Sequence, residues 1–486
     1  MHGCKEPEVN IVLIVSDTLR RDRIGAYGCK WMHTPSMDRL AGQSHVFQDA
    51  YVASFPTVPN RKDLMTGRYC FTYDTWSPLG RDEVILAQCL RDGGYITQMV
   101  NDTPHISQNG FHFDRGFDGW IWVRGQENDR LRTDPAEVTY PCDPSKLRGG
   151  ATGSTRQHLR NAATWRHEQD HHCARTFREA TDWLERNRRL ENFFLYVDTF
   201  DPHEPWDPPR HYVDLYDPGY EGDQVTYPRY DFASYLSKAE LKHAHALYCG
   251  EVTLVDRWLG HLLRRIEELG LADDTAVILT TDHGFYHGEH GLIGKAVIRE
   301  KPRQVVLYTP LWEEVARVPL MIRLPKARGG RRVRGYAQMT DLMPTILELA
   351  GLDVPSTCQG ASLVPLLRGE RKRPRRAAIS SACFVAGGDQ VISTITMGRW
   401  SLVYASPAGG QGHSTAEIDM IQRRAEIFRE VYRGPMLYDL KEDPQQKRNV
   451  FRKQTSVARR LHAEYVRQLE QLGTDESYVE PRRTLQ

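Results

Sequence analysis

Two continuous runs of apolar residues, far apart along the chain, each stop at an acidic residue. Residues 10–15 (Asn-Ile-Val-Leu-Ile-Val) precede Asp17, and residues 275–280 (Thr-Ala-Val-Ile-Leu-Thr) precede Asp282 and His283. An uninterrupted apolar run of this length predicts a central parallel strand covered on both faces. Because ligands bind at the carboxyl ends of such strands, the two carboxylates and the imidazole are expected at one sheet edge, where they predict a divalent-metal site.

Other apolar patterns alternate between helical and strand periods. Residues 84–93 are amphipathic and predict a helix that ends at a Gly-Gly pair, followed by a strand over 95–100. Further strands are predicted over 45–51 and 192–197, and a long helix over 238–269. This alternation predicts an α/β fold with a large mixed, mostly parallel sheet sandwiched by helices.

The chain is long enough for one large domain and a smaller one. Residues 1–367 are interpreted as the catalytic α/β domain, with a polar, irregular insertion at about 125–170 that is a candidate lid or subunit contact. Residues 368–486 are interpreted as a smaller C-terminal α+β subdomain. Its predicted elements are strands over 379–381, 390–397 and 400–404 and a closing helix over 457–472.

Composition narrows the class of partner. Lys plus Arg number 64 and Asp plus Glu 63, so the near-neutral charge gives no indication of a nucleic-acid partner. The basic run at 368–376 is interpreted as a solvated linker. No run approaches the length of a membrane span, the first strand leaves no room for a signal peptide, and nine cysteines are scattered without metal-ligand spacing. A cytoplasmic enzyme without a membrane partner is expected.

A third segment, between the two strands, carries a nucleophile candidate. Thr57 is predicted to be a helix N-cap, with Pro59 in the first turn. A hydroxyl there lies at the positive end of the helix dipole, and beside a divalent metal it becomes a nucleophile. Arg61, one turn later, can present its guanidinium to a tetrahedral oxyanion. This combination predicts phosphoryl or sulfuryl transfer.

These segments resemble the sulfatase branch of the alkaline phosphatase superfamily, and the resemblance covers nearly the whole chain. The matching motifs follow the order of that family: 10–17, 33–41, Thr57-x-Pro59-x-Arg61, 66–69, 201–206, 282–284, 288–295, 340–345 and 437–449. The resemblance implies a metal-dependent hydrolase with a small-molecule ester substrate, assembled as a homo-oligomer, either a dimer or a tetramer.

The resemblance also implies residue roles. The implied metal ligands are Asp17, Thr57, Asp282 and His283, and the implied catalytic residues are Thr57, Arg61, His203 and Lys295. His203 is the candidate general acid or substrate hydrogen-bond donor, and Lys295 binds a non-bridging oxygen. One divalent ion is expected. The imidazole and the small number of carboxylates favour manganese or zinc, with calcium, magnesium and iron as further possibilities.

Three departures from the family pattern change the expected substrate. Thr57 stands where sulfatases carry a Cys or Ser that becomes formylglycine, and its Cβ methyl prevents formation of that aldehyde. Thr18 replaces the usual second Asp, and Asp102 replaces a lysine. Thr103 and His105, which follow Asp102, are candidate substrate-binding residues. These features favour hydrolysis of phosphodiesters or phosphonate monoesters through a covalent phosphothreonine.

Three alternatives remain open at this point. One is a sulfuric ester hydrolase that works without formylglycine, and another is a phosphotransferase or mutase of the same superfamily. The third, from a different class, is a binding protein without catalysis. The set Asp17, Arg61, Asp282, His283 and Lys295 argues against this last alternative, because a binding protein has no need of all five.

Overall fold

A computed structural model describes residues 9–300, 304–370, 375–387, 391–406 and 415–485. Its strands are Asn10–Ser16 (β1), His45–Tyr51 (β2), Ser54–Phe55 (β3), Ile96–Asn101 (β4), Gly119–Trp122 (β5), Phe193–Thr199 (β6), Asp231–Phe232 (β7), Thr275–Thr280 (β8), Tyr286–His287 (β9), Leu292–Gly294 (β10), Ala296–Arg299 (β11), Val305–Tyr308 (β12), Leu320–Arg323 (β13), Arg331–Gln338 (β14), Ala378–Ala382 (β15), Ile392–Met397 (β16), Trp400–Ala405 (β17) and Met436–Asp439 (β18).

The α-helices alternate with these strands. They are Pro35–Ala41 (α1), Thr57–Thr66 (α2), Leu86–Asp92 (α3), Pro104–Ser107 (α4), Ser154–Ala162 (α5), His172–Arg186 (α6), Arg210–Val213 (α7), Lys238–Glu268 (α8), Glu313–Ala316 (α9), Leu342–Leu349 (α10), Val364–Leu367 (α11), Phe384–Gly387 (α12), Thr415–Val431 (α13), Thr455–Gln471 (α14) and Glu476–Val479 (α15). The predicted helices and strands are present, with ends that shift by a few residues.

The main sheet has eight strands in the order β14-β2-β13-β8-β1-β6-β4-β5. β1 lies inside it, with Ile11 opposite Phe194 of β6 and Ala276 of β8, both in parallel register. β13 is antiparallel to both of its neighbours, and the other pairs are parallel. The predicted α/β class, with a mixed and mostly parallel sheet, is confirmed.

Helices cover both faces of this sheet, as the two apolar runs require. Alternate residues of β1 enter different cores: Ile11 belongs to a cluster that includes α2 and α10, whereas Val12 belongs to one that includes α6 and α8. α8 begins at a capping box in which Ser237 accepts from Glu240 and Glu240 accepts from Ser237. Every residue of β1 and β8 is buried. The polar residues at the ends of these two strands therefore contact other protein groups and not solvent.

A second sheet, in the order β18-β17-β16-β15-β3, forms the core of the C-terminal region. Four of its strands follow one another antiparallel, and the fifth, β3, joins in parallel register with Ser54 opposite Ser381. β3 immediately precedes Thr57, so this sheet holds one side of the nucleophile segment. Residues 371–374 of the basic run and Gln390, at the start of a predicted strand, lie outside the described residues.

The insertion at 125–170 packs against residues outside it. Leu147 forms an isolated β-bridge with Pro228, and His158 Nε2 pairs with Asp207 Oδ2 (2.8 Å). Inside the insertion, Asn161 of α5 donates to the carbonyls of Gly125 and Asp129. The eight cysteines in the described part of the chain are all free. Within that same part, none of the helices has both the length and the apolar character that crossing a bilayer demands.

Candidate active site

The carboxyl ends of β1 and β8 bring three ligand-type side chains together. Asp17 follows β1, and Asp282 and His283 follow β8, with potential ligand atoms all within 4.8 Å of one another. All three residues are fully buried. Parallel register places the two strand ends side by side, which is why residues 265 positions apart in the chain meet at this edge of the sheet.

The chemistry of this cluster fits a divalent cation. The Nδ1 atom of His283 donates to the Gly284 carbonyl (3.0 Å), so the free electron pair lies on Nε2. Burial lowers the pKa of His283 to about 3, which keeps the ring neutral. Asp17 Oδ2 is buried without a well-aligned hydrogen-bond donor, although Arg61 Nη1 is 3.0 Å away as an ion-pair partner. Burial and the neighbouring charge of Asp282 raise the Asp17 pKa well above its usual value.

Thr18 orients these two carboxylates. Its hydroxyl donates to Asp17 Oδ1 (2.8 Å), and its backbone N–H donates to Asp282 Oδ1 (3.0 Å). The backbone of Thr18 has φ 62°, a left-handed conformation that is costly for a β-branched residue. Thr18, at the position of the family's second Asp, therefore hydrogen-bonds to the two carboxylates of the cluster.

Thr57 is the first residue of α2, and the predicted N-cap is one residue too late. Asn60 N donates to the Pro56 carbonyl (2.9 Å), and Pro56 has the non-helical φ and ψ (−96°, −128°) of a capping residue. Pro59 lies in the first turn as predicted. The Thr57 hydroxyl lies 3.5 Å from His283 Nε2, so the nucleophile candidate adjoins the ligand cluster.

A buried carboxylate fixes the segment that carries Thr57. Asp63 accepts from the backbone N–H of Ser54 (2.7 Å), from the Ser54 hydroxyl (2.6 Å) and from the N–H of Cys70 (2.8 Å). These bonds tie β3 and the turn after α2 to the middle of that helix. These contacts anchor the segment that carries the motif Thr57-x-Pro59-x-Arg61 at the sheet edge.

The guanidinium of Arg61 pairs with carboxylate oxygens of the protein. Nε and Nη2 pair with Asp198 (3.0 and 2.9 Å), and Nη1 lies 3.0 Å from Asp17 and 2.5 Å from Asp282. The structure therefore places this predicted oxyanion-binding residue among three carboxylates. Asp198 was missed by the sequence interpretation, although it ends the apolar run of β6 as Asp17 and Asp282 end theirs.

Lys295 connects the ligand cluster to His203. Its Nζ lies 2.9 Å from His203 Nε2 and 3.1 Å from His283 Nε2. His203 Nδ1 donates to the Glu204 carbonyl (2.7 Å), which leaves Nε2 as an acceptor for the ammonium. Burial and the Lys295 charge lower the pKa of His203 well below its usual value, and burial lowers that of Lys295.

Each of the two candidate substrate-binding residues pairs with a carboxylate outside this cluster. The Thr103 hydroxyl donates to Asp198 Oδ1 (2.6 Å), and His105 Nε2 pairs with Glu127 Oε2 (2.9 Å). Asp102, at the position of the family's lysine, accepts from Thr176 (2.9 Å) and Thr199 (3.1 Å). Asp102 thus anchors the end of β6, and its carboxylate is directed into the fold.

The insertion contributes groups that the sequence did not single out. Glu127 and Arg148 both belong to it, and Arg148 Nη1 lies 3.7 Å from Glu204 Oε1 and 3.8 Å from Glu127 Oε1. Glu204 also accepts from the Tyr230 hydroxyl. Burial raises the pKa of Glu204 to about 7. Glu204 could have been identified from the sequence, because it directly follows His203 in the motif at 201–206.

Comparison with known proteins shows which sequences and structures this chain resembles. The chain is 27% identical over 429 residues to the N-acetylglucosamine-6-O-sulfatase of Bacteroides thetaiotaomicron, covering 76% of this chain and 73% of that protein. It is 26% identical to the multifunctional alkaline phosphatase superfamily protein PehA of Trinickia caryophylli, covering 74% and 77%. The fold matches that of the phosphonate monoester hydrolase of Agrobacterium radiobacter, with a TM-score of 0.69, 22% identity and coverage of 96% and 95%.

The family model for sulfatases matches residues 9–352, a region that contains every predicted site residue. The match agrees with the motif order along the chain and with the mixed α/β architecture. The chain therefore belongs to the sulfatase family of the alkaline phosphatase superfamily and is a hydrolase of that family.

Proposed function

We propose that this protein is a metal-dependent hydrolase of phosphodiesters or phosphonate monoesters that uses Thr57 as its nucleophile. One observation carries the proposal: the Thr57 hydroxyl, at the start of α2, lies 3.5 Å from His283 Nε2 in the cluster with Asp17 and Asp282. A hydroxyl in that position can attack an ester held at the cluster. The Cβ methyl of Thr57 excludes the formylglycine route.

Asp17, Asp282, His283 and Thr57 are the residues that hold one divalent ion in this proposal. A neutral imidazole with two carboxylates favours manganese or zinc over calcium. Such an ion lowers the pKa of a bound hydroxyl and withdraws charge from the ester oxygens. Arg61 keeps the carboxylates of Asp17 and Asp282 in place.

The chain's own groups account for the remaining chemistry. Thr57 Oγ1 loses its proton to solvent and forms a bond to phosphorus, while the bond from phosphorus to the leaving oxygen breaks. Lys295 binds a non-bridging oxygen, and the Lys295–His203 pair supplies the proton that the leaving oxygen needs. Attack of water on phosphorus then breaks the bond from phosphorus to Thr57 Oγ1. One proton of that water restores the Thr57 hydroxyl, the other remains on the product acid, and the Lys295–His203 pair regains its proton from solvent.

The balance of buried charge supports a singly charged substrate. Arg61 and Lys295 bring two positive charges, and Asp17, Asp198 and Asp282 bring three negative ones. A divalent ion would hold Asp17 in its ionised form and would turn this sum into one net positive charge while the Thr57 hydroxyl keeps its proton. A phosphodiester or a phosphonate monoester carries one negative charge at neutral pH, so it matches the site better than a doubly charged phosphate monoester does.

A sulfuric ester hydrolase is the second candidate. The curated relatives include the sulfatase of Bacteroides thetaiotaomicron and an arylsulfatase of Clostridium perfringens, 25% identical over 410 residues. A sulfate ester also carries one negative charge, so charge alone does not distinguish the two candidates. In this second case Thr57 forms a sulfate ester, and water must attack sulfur to release it.

Hydrolysis of matched 4-nitrophenyl esters tests the proposal. The set is a phosphate diester, a phenylphosphonate, a phosphate monoester and a sulfate, assayed with manganese or zinc. We expect the diester or the phenylphosphonate to be turned over fastest. Thr57→Val removes the hydroxyl at nearly constant volume and should reduce kcat by at least about 10³-fold, whereas Thr57→Ser should retain activity.

Other outcomes contradict the proposal in distinct ways. Dominant turnover of the sulfate favours the second candidate. Transfer to an added alcohol that exceeds hydrolysis favours a phosphotransferase. Full activity of Thr57→Val excludes Thr57 as the nucleophile for any of these reactions.

A further inference from the structure

The ring of His203 lies between a carboxylate and an ammonium. Glu204 Oε2 is 3.3 Å from His203 Nδ1, and Lys295 Nζ is 2.9 Å from His203 Nε2. The Glu204 side chain has no exposed surface, and that of His203 has 3%. Both ring nitrogens therefore have a charged group as a neighbour in a site without solvent, where charges act strongly on one another.

Tyr230 fixes the carboxylate of Glu204. Its hydroxyl donates to Glu204 Oε1, and its own carbonyl accepts from the Ile298 N–H (3.1 Å). The Tyr230 ring packs directly on Gly294, where a Cβ atom would lie 2.7 Å from Tyr230 Cγ. Because Gly294 precedes Lys295 in the chain, the contacts form a closed ring that returns to the ammonium.

The second oxygen of this carboxylate has no donor. Glu204 Oε2 is buried and accepts no hydrogen bond within the ranges that the structure describes. Arg148 Nη1 lies 3.7 Å from the other oxygen, Oε1, which is too long for a hydrogen bond. The Nδ1–H of His203 is donated to the Glu204 carbonyl (2.7 Å). A buried carboxylate oxygen without a donor is costly while the neighbouring ring is neutral.

Proton transfer to the leaving oxygen changes this balance. When His203 holds the proton for that oxygen on Nε2, the ring is a cation and the carboxylate 3.3 Å from Nδ1 stabilises it. The Nε2–H bond then breaks as the O–H bond of the leaving group forms, and Nδ1 keeps its hydrogen throughout. Glu204 itself neither gains nor loses a proton. An interaction that strengthens only during the transfer lowers the barrier to it.

We propose that Glu204 is a positioning residue for departure of the leaving group, which orients the His203 ring and stabilises its protonated form, with Tyr230 as the anchor of the carboxylate. A carboxylate paired with a catalytic imidazole has this combined effect in other hydrolases. The inference goes beyond the proposed function and rests on its assignment of His203 to the leaving oxygen.

Two leaving groups that differ in their need for a proton test the proposal. The substrates are the phenyl and 4-nitrophenyl esters of phenylphosphonic acid, assayed with the full chain and manganese at pH 8. Glu204→Gln keeps the size of the side chain and an acceptor for Tyr230 but removes the charge. We expect it to slow the phenyl ester by about 10- to 100-fold, as loss of a bond to a charged group implies. The 4-nitrophenyl ester should be slowed much less, because 4-nitrophenolate leaves without a proton.

A double variant shows whether Glu204 acts through His203. In the His203→Gln protein, adding Glu204→Gln should change the ratio of the two rates by less than about twofold, because the group on which the carboxylate acts is absent. A further change as large as that in the wild-type background would mean that Glu204 acts on another group, and the proposal would be overturned.

Glu251 provides a matched control. It is also a buried glutamate, its Oε1 accepts from the Asp207 N–H (3.0 Å), and its Oε2 accepts no hydrogen bond in the described part of the chain. Glu251→Gln should leave the ratio of the two rates unchanged. Tyr230→Phe releases the carboxylate and should slow the phenyl ester selectively, by less than Glu204→Gln does. Equal slowing of both esters by Glu204→Gln would reduce Glu204 to a structural residue.

The failure of this inference differs from the failure of the proposed function. If Thr57→Val abolishes turnover and Glu204→Gln slows both esters equally, the catalytic proposal stands and the role of Glu204 does not. If only sulfate esters are hydrolysed, the same ratio is measured with phenyl and 4-nitrophenyl sulfate.

Nitrogen-15 NMR of histidine-labelled protein at pH 8 decides the case in which no ester is hydrolysed. The Nδ1 signal of His203 is identified by its absence from the His203→Gln protein. It should move upfield in Glu204→Gln, where the carboxylate beside Nδ1 is replaced by an amide, and stay in place in Glu251→Gln. An unchanged signal in Glu204→Gln rejects the action of the carboxylate on the ring.

Discussion

The guanidinium of Arg61 and the carboxylate of Asp198 face each other through two parallel hydrogen bonds, Nε to Oδ2 (3.0 Å) and Nη2 to Oδ1 (2.9 Å). Both side chains have no exposed surface. The Tyr196 hydroxyl and the Thr103 hydroxyl (2.6 Å) complete the contacts of Asp198. Arg61 is thereby fixed with its remaining nitrogen, Nη1, directed at Asp17 and Asp282.

Loss of this contact should destabilise the fold. Arg61→Gln removes the charge that balances three buried carboxylates, and breaking a buried pair costs about 3–5 kcal/mol. Urea unfolding of the metal-free protein measures the change. Arg39→Gln, whose side chain is 46% exposed, is the control and should alter the free energy of unfolding by less than about 0.5 kcal/mol. Equal free energies of unfolding for the two variants would show that Arg61 contributes little to the stability of the fold.

Metal content should depend on the three clustered side chains. Elemental analysis of wild-type protein is expected to find one manganese or zinc ion per chain, and Asp282→Asn or His283→Ala should remove most of it. Asp273→Asn, an exposed carboxylate before β8, is the control. Added metal at a hundredfold excess over Kd should stabilise wild-type protein by about 2.7 kcal/mol. Equal metal content in Asp282→Asn and Asp273→Asn would place the ion elsewhere.

The contact between Lys295 and His203 predicts a dependence on the leaving group. If this pair protonates the leaving oxygen, His203→Gln should slow an alkyl ester by about 10²–10⁴-fold and a 4-nitrophenyl ester much less, because 4-nitrophenolate leaves without a proton. The measurement is the slope of log kcat/KM against leaving-group pKa. An unchanged slope in His203→Gln would restrict His203 to substrate binding.

Glu204 predicts a pH dependence of stability. Burial raises its pKa from 4.5 to about 7, so between these values the folded state binds more protons than the unfolded state. The free energy of unfolding should therefore fall as pH rises from 4.5 to about 7, by up to about 3 kcal/mol from this group. Glu204→Gln resembles the protonated form and should flatten that part of the profile in urea titrations. A wild-type slope that persists in the variant would assign it to other groups.

The separate pieces of the site were accessible from sequence because each is a local pattern. Asp17 and Asp282 end apolar runs, and Thr57 begins a helical segment with Pro59 in its first turn. Asp198 follows the same rule at the end of β6, but a strand-end Asp is common, and only its pairing with Arg61 shows what it does. The N-cap prediction at Thr57 failed by one residue because the backbone conformation of Pro56, not the side-chain type, decides which residue caps the helix.

By itself the sequence determined the α/β class, the strands that end in acidic residues, the motif order and the identity of Thr57 at the nucleophile position. These follow from periodicity and residue type, which are properties of short segments. Only the tertiary structure decided that Arg61 is enclosed by Asp17, Asp198 and Asp282 and that Asp102 points into the fold. Such contacts join segments separated by many tens of residues. They depend on the order of the strands in the sheet, which leaves no local pattern in the chain.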